Sequence, residues 1–216
     1  MKDMSSSPED MRRLRKARCL LLIAPLLLAA CSDSKPAPAS EKAPPPKTNQ
    51  FETGRFALQK LLPAAHFWAG DAAPVQLSST ATSASNGHDG KSGEWRAVFA
   101  SPTRQKSEPF TWSGMADAER KVDHGVEDSY NPSNRSTQTW DLNFLKVDTD
   151  KAFAVAQQHG GKQLLEKEPQ LGVNYLLDYS ALTNQLRWHV TYGGNTSMGR
   201  LTVLVDASTG EFIHKE

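Results

Sequence analysis

Leu186–Lys215, LRWHVTYGGNTSMGRLTVLVDASTGEFIHK, decides the fold. Leu186, Trp188, Val190 and Tyr192 alternate with polar residues, and Leu201, Val203 and Val205 recur at every second position beyond Gly193-Gly194-Asn195. Period-two alternation broken by turn residues reads as antiparallel strands with one buried and one wet face. Ala207-Ser208-Thr209-Gly210 supplies a tight turn, with Gly210 free to take a positive φ, and Phe212 resumes the pattern. Upstream, Val173, Tyr175, Leu177 and Tyr179 form another alternating run. Before it, Asp148 or Asp150 can cap a helix through KAFAVAQQH, which Gly160-Gly161 can end.

The N-terminal half repeats this plan less cleanly. Arg55–Ala65 has helical spacing at Phe56, Leu58, Leu61, Leu62 and Ala65, with Pro63 expected to kink or shorten the helix. Val75 and Leu77 begin a strand, a polar connection runs from Ser78 to Ser92, and Trp95, Ala97, Phe99, then Phe110 and Trp112, alternate. Trp95 stands 15 and 17 residues before Phe110 and Trp112, and Trp188 stands equally far before Val203 and Val205, a constant offset of 93. The expected class is α+β: helix packed on antiparallel sheet, with two α-β-β-β units in tandem over 51–140 and 141–216.

Leu186–Lys215 resembles the end of a PepSY domain, in a Trp-containing strand (Trp188-His189-Val190) and a strand running into Val205-Asp206-Ala207-Ser208-Thr209-Gly210. The resemblance spans about 65 residues from Asp150. It is weak over Phe51–Met115, where Trp112-Ser113-Gly114-Met115 has no Asp-Ala-x-Thr-Gly equivalent. It implies a secreted or membrane-tethered bacterial protein of the kind proposed to restrain peptidases.

The first 50 residues read as an address and a tether. RRLRKAR (12–18) precedes an apolar run of 12 residues, Cys19–Ala30, too short for a permanent span of about 20 residues. Leu28-Ala29-Ala30-Cys31 resembles the lipobox of bacterial lipoproteins, which implies cleavage after residue 30 and acyl chains on Cys31. Cys19 would leave with the leader, and Met11, directly before the basic cluster, is an alternative start. Ser32 instead of Asp after Cys31 implies the outer membrane by the same resemblance. Residues 31–50, rich in Pro and Ala, cannot bury a core and form a tether, reaching up to ~60 Å if polyproline-like.

Residues 1–30 carry six basic and three acidic groups, which leaves 19 basic and 21 acidic groups in the remainder. That near-neutral balance argues against a nucleic-acid partner. No sequence motif for zinc, nucleophilic catalysis or phosphate binding occurs, so no catalytic, cofactor or metal residue is assigned and no cofactor is expected. Asp148-Thr149-Asp150 opens like a calcium loop, but Ala152 falls where an oxygen ligand is needed, and helix capping accounts for it. His66, His88, His124, His159, His189 and His214 read as solvated or hydrogen-bonded, with His189 on the outer face of its strand. Asp206 should accept backbone N–H bonds across its turn. Asp117, Glu119, Asp123, Glu127 and Asp128 form a mixed-charge stretch with Arg120, Lys121 and His124, read as solvated surface or a weak cation site. Trp68, Trp95, Trp112, Trp140 and Trp188 belong to the core or, on an outer face, to a binding surface.

These features point to a non-enzymatic, lipid-anchored envelope protein that contacts the membrane through Cys31 and binds a protein or peptide partner, with a sheet edge as the expected mode. The alternatives are an envelope hydrolase or metal-dependent enzyme with a dispersed site, and a purely structural envelope component.

Overall fold

The computed structural model describes residues 46–216 except 80, 81, 83 and 195–198. The leader, Cys19, Cys31 and most of the tether lie outside the described residues. The chain runs β1 (Glu52–Thr53), α1 (Gly54–Trp68), β2 (Ala73–Ser79), β3 (Lys91–Ser92), β4 (Glu94–Ser101), β5 (Lys106–Ser113), β6 (Val122–His124), β7 (Asp128–Ser129), α2 (Thr149–Ala156), α3 (Lys162–Lys167), β8 (Val173–Ser180), β9 (Gln185–Tyr192), β10 (Leu201–Asp206) and β11 (Phe212–Lys215). Among the described residues, no helix is long and apolar enough to cross a membrane.

The main sheet has the order β11-β10-β9-β8-β2-β4-β5-β6, with β7 also on β5. Every pairing is antiparallel. From the central β2–β8 pair, where Leu77 faces Leu177, the order reads outward in both directions as first, second, third and fourth strand of a unit. This is the expected α+β class, and the two units share one continuous sheet.

The repeat shows in the register. Trp95 lies opposite Trp112, and Trp188 opposite Val205, each partner 93 residues on. The two indoles also make the same joint. Trp95 Nε1 donates to Glu52 O (2.9 Å), two residues before α1, and Trp188 Nε1 donates to Val147 O (2.8 Å), two residues before α2. Both rings are fully buried and meet edge to face at 6.5 Å. Gly54 sits against them: a Cβ there would fall 2.7 Å from Trp188 Cη2. The two helix starts are tied by Gly54 N–H to Thr149 Oγ1 (3.1 Å) and Arg55 N–H to Asp148 Oδ1 (3.0 Å).

α1 buries Ala57, Leu58, Leu61 and Ala65 along one face, against β2, β4 and β5. Pro63 does not shorten it, because its ring lies on the exposed face and the carbonyl it deprives, that of Gln59, is on an exposed residue. Asp148 caps α2 through its side chain, as one of the two expected candidates. The Gly160-Gly161 pair ends the helix that Asp148 opens, as expected. Gly160 breaks the geometry at φ +118°, and the chain resumes in α3, packed against Tyr192 through Gly161.

Candidate functional site

A broad concavity lies on the sheet face away from the helices. On β4 and β5, Trp95, Ala97, Phe110 and Trp112 point into the core, so the alternate positions Glu94, Arg96, Thr111 and Ser113 face outward. They form the floor of a groove of about 970 Å³. Its wall is the 114–125 segment, which is held by backbone bonds. Gly114 N–H donates to Gly93 O (2.8 Å), Ser113 N–H to Lys121 O (2.9 Å), and Gly125 N–H to Pro109 O (2.8 Å). Lys121 Nζ closes the turn on Met115 O (2.9 Å). Ahead of β1, the chain braces the same wall: Ala116 N–H donates to Asn49 Oδ1 (2.9 Å) and Gln50 N–H to Gly114 O (2.8 Å). A Cβ on Gly114 would fall 2.1 Å from Gln50 O, so this close approach needs glycine.

Of the acidic stretch singled out in the sequence, Asp117, Glu119 and Asp123 line the groove. Glu127 is used elsewhere. It accepts from Trp68 Nε1 (2.7 Å) and pairs with Arg104, whose guanidinium lies 4.9 Å from the Trp68 ring centre. The Trp68 hydrogen bond, with Arg104, holds the Glu127 carboxyl below its ordinary pKa. Among the described residues no group of three or more His, Cys, Asp and Glu side chains could hold a metal ion.

The histidines are spread over the molecule. His88 Nε2 is 2.7 Å from Leu171 O, His159 stacks on Phe212 at 3.7 Å, and His214 lies 3.1 Å from Glu216. His189 faces outward as expected, yet its side chain is only 16% exposed because Asp178 Oδ1 lies 3.1 Å from its Nε2. Arg187 reaches the same oxygen at 3.0 Å. Burial raises the Asp178 pKa, but the hydrogen bonds and charges of His189 and Arg187 outweigh it and leave the carboxyl below its ordinary value. The sequence reading missed this triplet. Its signal was the cross-strand pairing of Asp178 with Arg187, which exists only once the register is known. Glu108 was also missed. It is buried beside Phe110 on the core face of β5, 2.5 Å from His124 Nδ1, and its place in the Glu108, Phe110, Trp112 alternation was the available sign.

Asp206 does its turn job: Oδ1 accepts from Ser208 N–H (2.7 Å) and Thr209 N–H (2.9 Å), and Gly210 has φ +83°. Trp95, Trp112, Trp140 and Trp188 are core residues, with Trp140 Nε1 bonded to Val75 O (3.0 Å). They leave the outer sheet face without a tryptophan anchor. The sheet's outermost strands are short, three residues in β6 and four in β11, and carry Asp123, His124, His214 and Lys215. Short, charged edges discourage strand addition.

No family model matches the sequence. The search of curated proteins also finds no match. Among solved structures, the chain is similar to a Clostridium difficile 630 protein provisionally described as a lipoprotein. The TM-score is 0.50 and the identity 13%, over 74% of this chain and 91% of the other. That likeness is one of fold.

Proposed function

We propose that the protein is a lipid-anchored binding protein of a bacterial envelope, fixed by acyl chains on Cys31, whose body takes a protein or peptide partner in the groove over β4 and β5. The observation that carries the reading is the groove itself, with a polar floor on rigid strands and a wall pinned by backbone hydrogen bonds. Binding on rigid elements lowers the ordering cost of association. The role is binding and not catalysis, and the sheet face replaces the sheet edge as its seat. The basic leader, the short apolar run and Leu28-Ala29-Ala30-Cys31 support the anchor, and Ser32 favours the outer membrane. The description of the fold neighbour as a lipoprotein agrees with it. The PepSY-like strand and turn at Trp188–Gly210 make restraint of a peptidase the finer form of the reading.

Photo-crosslinking in cells tests it. A crosslinking amino acid at Thr111, on the groove floor, should give a discrete adduct, while one at Gln59, on the exposed side of α1, should not. Equal labelling from both positions, or none from Thr111, would overturn the groove assignment.

A further inference from the structure

The groove's charges are specific enough to name what it holds. Arg120 is committed to Asp123 at 3.5 Å, and His124 to Glu108 at 2.5 Å. Glu94, Asp117 and Glu119 make no ion pair among the described residues, and neither does Arg96. Among its lining residues the groove therefore keeps three uncommitted carboxylates against one uncommitted guanidinium, while Lys121 in the wall turns its ammonium onto Met115 O. This excess of negative charge lies in a trough whose floor is polar and whose backbone is already paired. It repels phosphates and other polyanions. The carboxylates are also dispersed: Glu94 is on the floor and the other two are on the wall, and no three acidic or imidazole groups converge as a metal ion would require. Dispersed negative charge along a trough matches a ligand whose positive charges are themselves spaced out along an extended chain. The Thr111 and Ser113 hydroxyls on the floor can bond its amides.

We infer that the groove receives an extended Lys- or Arg-containing segment of a partner protein, engaged by Glu94, Asp117 and Glu119. This inference rests on the binding reading above and adds the chemistry of the partner.

The test uses the full-length protein in neutral detergent and two fluorescein-labelled decapeptides, one alternating Lys with Ser and one alternating Glu with Ser. The Lys peptide should bind at least about tenfold more tightly than the Glu peptide and weaken as salt rises from about 0.05 to 0.5 M. Each exposed charge contact is worth roughly two- to fivefold. The combined variant Glu94→Gln, Asp117→Asn, Glu119→Asn should therefore lose about tenfold or more. Its thermal midpoint should not change, since none of these side chains holds the fold together. Equal affinity for the two peptides, or wild-type affinity of the triple variant for the Lys peptide, would overturn the inference. So would saturable calcium binding that the same variant abolishes, which would make the groove a cation site. A partner crosslinked at Thr111 whose binding shows no preference for basic sequence would sink this inference and leave the binding reading standing. No adduct at Thr111 would sink the binding reading first.

Discussion

Replacing Trp188 with Phe, and Trp95 with Phe in parallel, probes the joint that the two units share. Each substitution keeps an aromatic ring in the core and removes the indole N–H, along with roughly 40 Å³ of ring, worth about 1 kcal/mol at about 24 cal/mol per Å³ of cavity. The lost donor leaves a carbonyl in want of its partner, Val147 O for Trp188 and Glu52 O for Trp95. That adds about 1–2 kcal/mol. Each variant should thus lose about 2–3 kcal/mol, out of about 5–15 for a domain, so both stay folded and measurable. Truncation to Ala, at about 3–5 kcal/mol, would bring either close to its unfolding threshold. Because the rings touch edge to face at 6.5 Å, the double variant should depart from additivity by about 0.5–1.5 kcal/mol. Urea midpoints at unchanged slope give all three numbers. A cost below about 0.5 kcal/mol for either single variant would refute the reasoning. A costly Trp188→Phe beside a neutral Trp95→Phe would show that the matching geometry does not carry matching energy.

Gly161→Ala would place a methyl 2.0 Å from Tyr192 Oη and 2.3 Å from its Cζ, so the ring must give up its bond to Gln157 Nε2. The expected cost is about 1–3 kcal/mol, seen as a lower melting midpoint, and an unchanged midpoint would count against the packing described. Asp178→Asn keeps an amide oxygen but removes the carboxylate charge shared by Arg187 and His189, and should cost about 1–2 kcal/mol at pH 7. Because the folded carboxyl is depressed, that stability is present above its ordinary pKa and fades as pH falls below about 4; a constant gap between variant and wild type down to pH 2 would contradict it. Asp71, held by Ser101 Oγ (2.6 Å) and Thr103 N–H (3.0 Å), has its pKa lowered from 3.8 to about 2. Carbon-detected NMR should place its titration near pH 2, and a midpoint near 4 would show that the hydrogen bonds do not form. Cys31→Ala should abolish acylation and release the body or leave the precursor uncleaved, and equal palmitate labelling of wild type and variant would disprove the anchor.

The strands β8 and β9 were legible because their core-facing residues recur at every second position, as at Tyr175, Leu177, Trp188 and Val190; β10, buried on both faces through Val203 and Leu204, carries the pattern less cleanly. The offset of 93 was legible for the same reason and reappears in the register of Trp95 with Trp112 and Trp188 with Val205. Alternation says which face a residue takes and nothing about which strand lies beside it. The junction of β2 with β8, and the Asp178–Arg187–His189 triplet, therefore could not be read in advance. Proline misled in α1. Its local cost is real, but Pro63 stands on a solvent face and the buried side of α1 set the outcome, whereas Gly160 ends its helix as the sequence implies. The groove escaped because its wall, 114–125, is polar and aperiodic, and its charges look like solvated surface until the chain is seen turning back to pair alongside β5.

The comparison of the two units explains why the groove sits in only one of them. After β10, the chain turns at once through Asp206–Gly210 and returns as β11, a connection locked by Asp206 Oδ1. After β5, the corresponding strand, no such turn forms. The chain instead makes the long excursion from Gly114 to Val147, which supplies β6, β7, the groove wall and the buried plug Trp140 before α2 begins. The C-terminal unit thus keeps the compact form of the repeat, and the N-terminal unit spends its freedom on a loop. A fold of two similar halves can vary this way at little cost, since the shared sheet and the paired tryptophan joint secure both, and loop-closure entropy grows only slowly with length. Surface loops on a rigid scaffold are where binding functions tend to reside. The difference after Trp112 is therefore what gives the first unit its charged groove, where the second has only a tight turn.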